Sequence, residues 1–195
     1  MPEVVNILKS TGGADDLKLI MTDLYPNLEY AEKLNSLENP DVTYETNPVD
    51  ATNVDASMDG LRTMVGSLHH MKPEAAKAIL KNAMESGQPF LAFEISDNSY
   101  PKWIWWIAIP INIISSFFVS ALARPFTFQQ FLFTYLIPII PITFAWDGAV
   151  SNARTYTLQD LDILLEGLES EEYSWEKGII KGKSNQIYLL GYPEK

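Results

Sequence analysis

Between Trp103 and Trp146 the chain carries a single charged residue, Arg124, and this apolar block lies between two acidic stretches that read as ordinary α/β sequence. It divides at Ala123-Arg124-Pro125-Phe126 into one run from Trp103 to Ala123 and another from Phe126 to Trp146. Each run is about 30 Å long if helical, so the sequence predicts that either could cross a bilayer. Trp103, Trp105, Trp106, Tyr135 and Trp146 suit the boundary between headgroups and acyl chains, because each joins an apolar ring to one polar group. Lys102 and Arg124 sit at run ends, where long cationic side chains can snorkel. Pro110, Asn112, Ser115 and Ser116 in the first run, and Pro138 and Pro141 in the second, would kink a spanning helix and favour a shallow or re-entrant hairpin. A buried helical pair in a soluble core is the plainer alternative, but a core helix usually keeps a polar face and these runs have little of one.

The rest of the composition narrows the function classes. A formal charge of −11 disfavours nucleic acid, whose phosphates are bound by clustered Lys and Arg, and equally a polybasic lipid anchor. With no cysteine there is no disulfide framework and no thiolate chemistry. The N-terminus lacks a basic region followed by an apolar stretch, so the first hundred residues are expected to stay cytoplasmic.

Along those residues, Val4 to Lys9 reads as the end of an amphipathic helix stopped by Gly12 and Gly13. Leu17 to Thr22 reads as a short buried strand ending at Asp23, Leu28 to Leu37 as a helix, and Val42 to Glu45 as a second strand. A polar loop with Asp50, Asp55 and Asp59 follows, then a third strand from Leu61 to Leu68 that ends at His69 and His70. Pro73 opens a helix with Ala76, Ile79, Leu80, Ala83 and Met84 on one apolar face, closed by Gly87, and Phe90 to Ile95 reads as a fourth strand. After the apolar block, Thr157 caps a helix from Gln159 to Leu168. Tyr173 to Ile180 and Gln186 to Tyr192 read as an antiparallel hairpin. Strands alternating with helices predict a doubly wound, Rossmann-like parallel sheet. If the terminal hairpin joins that sheet, both flanks lie on one side of the membrane and the apolar runs must go in and come back. The division is then residues 1–100, an inserted apolar hairpin at 101–150, and residues 151–195 completing the α/β domain.

This pattern resembles class I S-adenosylmethionine-dependent methyltransferases, particularly membrane-associated bacterial members. The resemblance covers nearly the whole chain outside the apolar block. It is carried by Thr22 to Asn27, Pro48 to Thr52, Gly60 to Met64, Leu68-His69-His70, Trp146-Asp147-Gly148 and Arg154 to Thr157. It implies S-adenosylmethionine as cofactor. Asp23, with Leu24 beside it, takes the place of the acidic residue whose carboxylate holds the ribose hydroxyls, and Asp50, with Ala51, that of the residue accepting from the adenine amino group. Ser67, His69 and His70 fall where the sulfonium and the methyl acceptor meet, and an imidazole there suits removal of the acceptor's proton near neutral pH. Each position has a plainer reading. Asp23 could form a turn or cap a helix, Asp50 shares its loop with two other aspartates, and Arg154 to Thr157 could serve as a helix cap. The adjacent histidines lack metal-ligand spacing, and no metal site is expected.

The resemblance departs at the beginning, where the family's first strand and Gly-rich turn have no counterpart. Gly12 and Gly13 follow a helix and precede a strand, so they are not that turn, which normally lets backbone N–H groups approach the cofactor. The strand is also central in the family's sheet, so its loss would force its two neighbours to pair directly or leave backbone groups unsatisfied. Two expectations follow: a truncated methyltransferase acting at the cytoplasmic membrane face on an unknown, small-molecule or lipid acceptor, or a degenerate, non-enzymatic interaction protein at the membrane. A channel or transporter is disfavoured, because two kinked runs with no buried acidic pair offer little pathway.

Overall fold

A computed structural model describes the chain apart from residues 1, 13, 14, 38, 40, 97, 99, 100, 183 and 195, and apart from the side chains of residues 2, 102 and 105. The expected stop at Gly13 and the snorkelling and interfacial roles of Lys102 and Trp105 therefore lie outside what is described. The contacts separate two units, residues 1–59 and 60–195.

In the first unit, α1 (Pro2–Ser10) ends at Gly12, whose φ of 86° is the left-handed geometry that glycine reaches without a Cβ clash. Strand β1 (Leu19–Met21), helix α2 (Leu28–Asn35) and β2 (Val42–Tyr44) follow. The two strands pair in parallel, Leu19 opposite Val42 and Met21 opposite Tyr44. Asn27 caps α2 by accepting the Tyr30 N–H at 3.0 Å, and Ala31 is fully buried. Asn35 then binds Tyr44 twice: its Nδ2 donates to the Tyr44 carbonyl at 2.9 Å, and its Oδ1 accepts the Tyr44 N–H at 2.8 Å. An asparagine at the helix end thus completes hydrogen bonds that so short a strand leaves open. Lys9 of α1 pairs with Asp41 at 2.7 Å.

The second unit begins with β3 (Arg62–Val65), α3 (Pro73–Glu85) and β4 (Phe90–Glu94), and ends with α7 (Leu158–Leu165), β5 (Tyr173–Ile180) and β6 (Gln186–Pro193). Its sheet has the order β3-β4-β6-β5, with β3 and β4 parallel and the other two pairings antiparallel. Helix α3 opens on Pro73, whose missing N–H is no loss in a first turn, and buries Ala76, Ile79, Leu80 and Ala83 at helical spacing. Thr157 and Asp160 form a capping box at the start of α7, and Leu161 and Leu164 face inward. These residues meet Leu68, Phe90, Ala92, Ile187 and Leu189 in one core.

Two sequence expectations change here. The strands do not form one doubly wound sheet: β1 and β2 make a two-stranded sheet, and β3 is the edge of a separate four-stranded one. Of the two outcomes expected for want of a central neighbour, direct pairing of β1 with β3 is not the one found. The third predicted strand, Leu61 to Leu68, is also shorter. It ends at Val65, Gly66 follows at φ 58°, and Leu68–His70 is a 3-10 turn. A left-handed residue cannot continue a strand, which is why His69 and His70 stand on a turn beyond it.

The apolar block folds within the second unit as α4 (Trp105–Leu122), α5 (Phe128–Phe131), a π-helical turn over Leu132–Leu136, and α6 (Ile139–Arg154). Helices α4 and α6 pack on each other. A polar seam closes the far end: the Ser120 and Thr134 hydroxyls lie 3.1 Å apart, Gln130 Nε2 donates to the Ser120 carbonyl at 2.5 Å, and the Tyr135 hydroxyl donates to the Phe117 carbonyl at 2.7 Å. Outside that seam Trp106, Phe118, Leu122 and Phe128 are more than two-thirds exposed. No single helix among the described residues is long and apolar enough to cross a bilayer, and Phe128–Leu136 and Ile139–Arg154 reach that length and apolarity only together, as a bent pair. The second run is broken near Pro138, where its two parts meet at 76°. Pro138 supplies no N–H and Pro141 enters the first turn of α6, so the helix restarts there and does not continue.

Candidate active site

In the second unit a buried polar pair lies at the carboxyl ends of β3 and β4. The turn after β3 places His69 beside Glu94, the last residue of β4, and both are buried. Glu94 Oε2 lies 2.7 Å from His69 Nδ1, and Oε1 accepts the His69 backbone N–H at 3.2 Å. A carboxylate has no proton to donate, so it fixes the hydrogen on Nδ1 and leaves Nε2 as the basic nitrogen. The same carboxylate holds backbone and ring together, so imidazole orientation follows the end of β4. His70 is exposed, and its ring packs on that of His69 at 4.2 Å between centroids. Ser67 precedes the turn, its carbonyl accepting the His70 N–H at 3.1 Å, and its hydroxyl makes no capping bond.

Helix α6 returns from the apolar block onto this turn. Asn98 N–H donates to Ser96 Oγ at 3.2 Å, and Ser96 Oγ in turn donates to Asn152 Oδ1 of α6. Just beyond, Thr155 is buried and the Tyr156 hydroxyl donates to the Met71 carbonyl at 2.7 Å, fastening the chain after α6 to the histidine turn. Burial, and then the charges of Glu74 and Asp160, push the Tyr156 phenol above its usual pKa, so it stays a donor. Within Arg154 to Thr157 the helix-cap reading holds at Thr157, which caps α7, while Tyr156 is engaged with the Met71 carbonyl. A narrow void too small to hold a ligand lies beneath Glu94 and Tyr156, among Leu68, Ala92 and Leu161.

In the first unit Asp23 is exposed and its Oδ1 accepts the Tyr25 N–H at 2.8 Å. Leu24, Tyr25, Pro26, Leu28, Thr46 and Pro48 line an open apolar groove of about 330 Å³, the size of a small-molecule site. Asp50 Oδ1 accepts from both the Thr52 hydroxyl at 2.7 Å and the Thr52 N–H at 2.8 Å, and these bonds hold its carboxyl below the usual range. Asp55 makes the same turn with Ser57, so Asp50 is not distinguished from its neighbour by local geometry. Ala51 is exposed within the Asp50 turn. An adenosine ligand would meet apolar groove walls here, with Asp23 preceding the lining residue Leu24 in sequence but not itself lining the groove; a backbone cradle for the methionyl end is not among the described residues. No cluster of three or more His, Asp or Glu suited to a metal occurs among them either.

Glu94, Ser96 and Asn152 were not singled out in the sequence. For Glu94 a signal existed: Phe90, Ala92 and Glu94 share one face of β4 by the period of two, and that face is buried at all three. A carboxylate in register with an apolar face needs a partner, and His69 supplies one.

No protein-family model matches the chain, and no curated protein matches it in sequence. Solved structures do match in fold. LaPhzM superposes over 99% of this chain and 47% of its own, with a TM-score of 0.52 and 13% identity. LepI in complex with S-adenosylmethionine superposes over 98% and 40%, with a TM-score of 0.52 and 10% identity. These proteins share the chain's α/β fold. The chain spans less than half the length of either protein. A protein from Rhodobacter sphaeroides described as a zinc-dependent alcohol dehydrogenase superposes over 91% and 76%, with a TM-score of 0.51 and 11% identity, so the fold by itself leaves the reaction open.

Proposed function

We propose that this chain is the acceptor-binding and adenosine-binding part of an S-adenosylmethionine-dependent methyltransferase that works at a membrane face. The observation that carries the reading is the buried His69–Glu94 pair at the carboxyl ends of two parallel strands, where ligands bind in open α/β sheets. The cofactor, when bound, supplies an electrophilic methyl group. Asp23 would hold the ribose hydroxyls at the mouth of the groove, and Leu24 and Tyr25 would flank the adenine, with Asp50 and Ala51 near its amino edge. His69, oriented through Nδ1 by Glu94, takes the acceptor's proton at Nε2. His70 shields the ring on its open side. The exposed apolar faces of α4 and α6 fit association with lipid, and a lipid or other hydrophobic acceptor fits a site beside them.

Titration calorimetry of S-adenosylhomocysteine into the full chain in detergent, with Asp23→Ala in parallel, tests this. Heat of binding that the substitution removes is the expected result; a folded sample that binds nothing would sink the reading for this chain. A second reading, a non-enzymatic interaction protein at the membrane, is favoured by one observation: Gly12 serves as the cap of α1, not as part of a strand-to-helix turn that could cradle the methionyl group. Retention of the protein in membrane fractions without cofactor binding would support that alternative.

A further inference from the structure

The four-stranded sheet ends in two unlike edges. At one, β5 carries the exposed Glu176 in mid-strand and the exposed Lys181 just past its end, and such charges keep an edge from pairing with another chain. At the other, the only charge on β3 is Arg62, and its guanidinium is turned inward, where Nη1 donates to Asn82 Oδ1 of α3 at 2.7 Å. The positions that alternate with it are Leu61, Thr63 and Val65, all uncharged and exposed, Leu61 at 53% and Val65 at 46%. No proline, lysine or acidic residue guards residues 61–65.

The backbone alternates in the same way. Arg62 N–H donates to the Pro89 carbonyl at 2.9 Å, and Gly66 N–H to the Phe93 carbonyl at 2.7 Å. Alternate residues of a parallel strand bond to the same neighbour, so Leu61, Thr63 and Val65 direct their N–H and C=O groups away from β4. Among the described residues no strand pairs with that side of β3. The open edge is also bounded, by Gly60 at φ 123° and Gly66 at φ 58°, so residues 61–65 alone are extended and available.

Those bounds favour a second copy of the same segment. Laid antiparallel on itself about a two-fold axis at Thr63, it sets Thr63 opposite Thr63 and Leu61 opposite Val65 on either side, each pair exchanging both backbone hydrogen bonds. Thr–Thr and Leu–Val are favourable cross-strand neighbours, and Arg62 falls opposite Met64, never opposite another Arg62. Moving the axis to Leu61 or Val65 carries the pairing past Gly60 or Gly66, where the backbone turns away. Moving it to Arg62 or Met64 calls on groups that point toward β4. The register is therefore set by the segment itself.

We propose that the open edge of β3 is the interface of a symmetric homodimer, two copies pairing antiparallel about Thr63 so that their sheets continue into one another. Such a contact uses the same patch on both copies and closes on itself, and the charged β5 edge does not extend it. Five residues a side bury less than a standard interface of about 1,600 Å², so the dimer is weak and forms as concentration rises. The inference is independent of any reaction at His69.

Analytical ultracentrifugation of the full chain in detergent tests it, because detergent covers the apolar faces of α4 and α6 and leaves the sheet edge free. At about 0.15 M salt, where exposed charges more than about 8 Å apart are largely screened, the protein mass should double as concentration rises. Thr63→Lys and Thr63→Glu each bring like charges face to face across the axis, and each alone should stay monomeric over the same range. An equimolar mixture of the two should recover the doubled mass, since a lysine then faces a glutamate. Thr63→Pro deletes an N–H that points away from β4 and should also give a folded monomer. All three variants should unfold near the parent's temperature. A parent that stays monomeric, a charged variant that dimerises alone, a mixture that does not recover the dimer, or variants that all fail to fold would overturn the proposal.

Discussion

At the residue scale the properties that matter are set by what buries a polar group and what then satisfies it. Glu94 is the clearest case: a carboxylate 3% exposed, satisfied by the backbone and ring N–H of His69. Glu94→Ala should lower stability by about 2–4 kcal/mol in urea unfolding, since it orphans two donors at once. Glu94→Gln keeps one amide oxygen for those donors and should cost roughly half as much. Tyr173 makes a different prediction. Burial raises its phenol to about 12, while the nearby Arg62 cation pulls slightly the other way. An unfolded tyrosine ionises near 10, so between about pH 10 and 12 the unfolded state has lost a proton that the folded state keeps. Stability from this group is complete below pH 10 and falls as pH rises toward 12. Absorbance titration at 295 nm should find one late-titrating tyrosine that becomes ordinary in urea.

At the scale of elements, regular ones were legible and irregular ones were not. Helix α3 could be read from Pro73 and four alanine, isoleucine and leucine positions at helical spacing, because burial and propensity agree there. The β5–β6 hairpin was legible for the same reason, its two runs reading directly as strands. Its packing was not. An added Cβ at Gly191 would lie 2.6 Å from the Tyr173 hydroxyl and 2.5 Å from Trp175 Cζ3. Neither ring is free to withdraw: the Tyr173 hydroxyl donates to the Gln88 carbonyl and Trp175 Nε1 to the Leu168 carbonyl. Gly191→Ala should therefore cost about 1–3 kcal/mol, seen as a lower thermal midpoint. In the apolar block, composition announced two long runs, yet Pro138 and the π-helical turn break the second, and the break follows from local backbone geometry that hydropathy does not register.

At the scale of the whole chain, the division at residue 59/60 and the separation into two sheets are the main departures from a single doubly wound domain. The core of Leu68, Leu80, Phe90, Leu161 and Leu189 lies entirely in the second unit. Residues 60–195 expressed alone should consequently unfold cooperatively in detergent, with a midpoint close to that of the full chain. A non-cooperative transition by circular dichroism would mean that the second unit depends on the first. Residues 1–59, with two three-residue strands and few buried side chains, should not fold cooperatively alone.

The sequence by itself determined the α/β class, the helix caps, the strand pair at the C-terminus and the charge-depleted block, because propensity, capping and hydropathy are local or periodic properties. It also brought His69 and His70 forward, though it could not choose between them. Only tertiary structure distinguishes them, burying His69 against Glu94 and leaving His70 exposed, since that contact joins residues 25 positions apart. The same holds for Asn152, which meets Ser96 across 56 residues. Whether a polar side chain is satisfied is a property of the packed neighbourhood, and nothing in the order of residues along the chain encodes that neighbourhood directly.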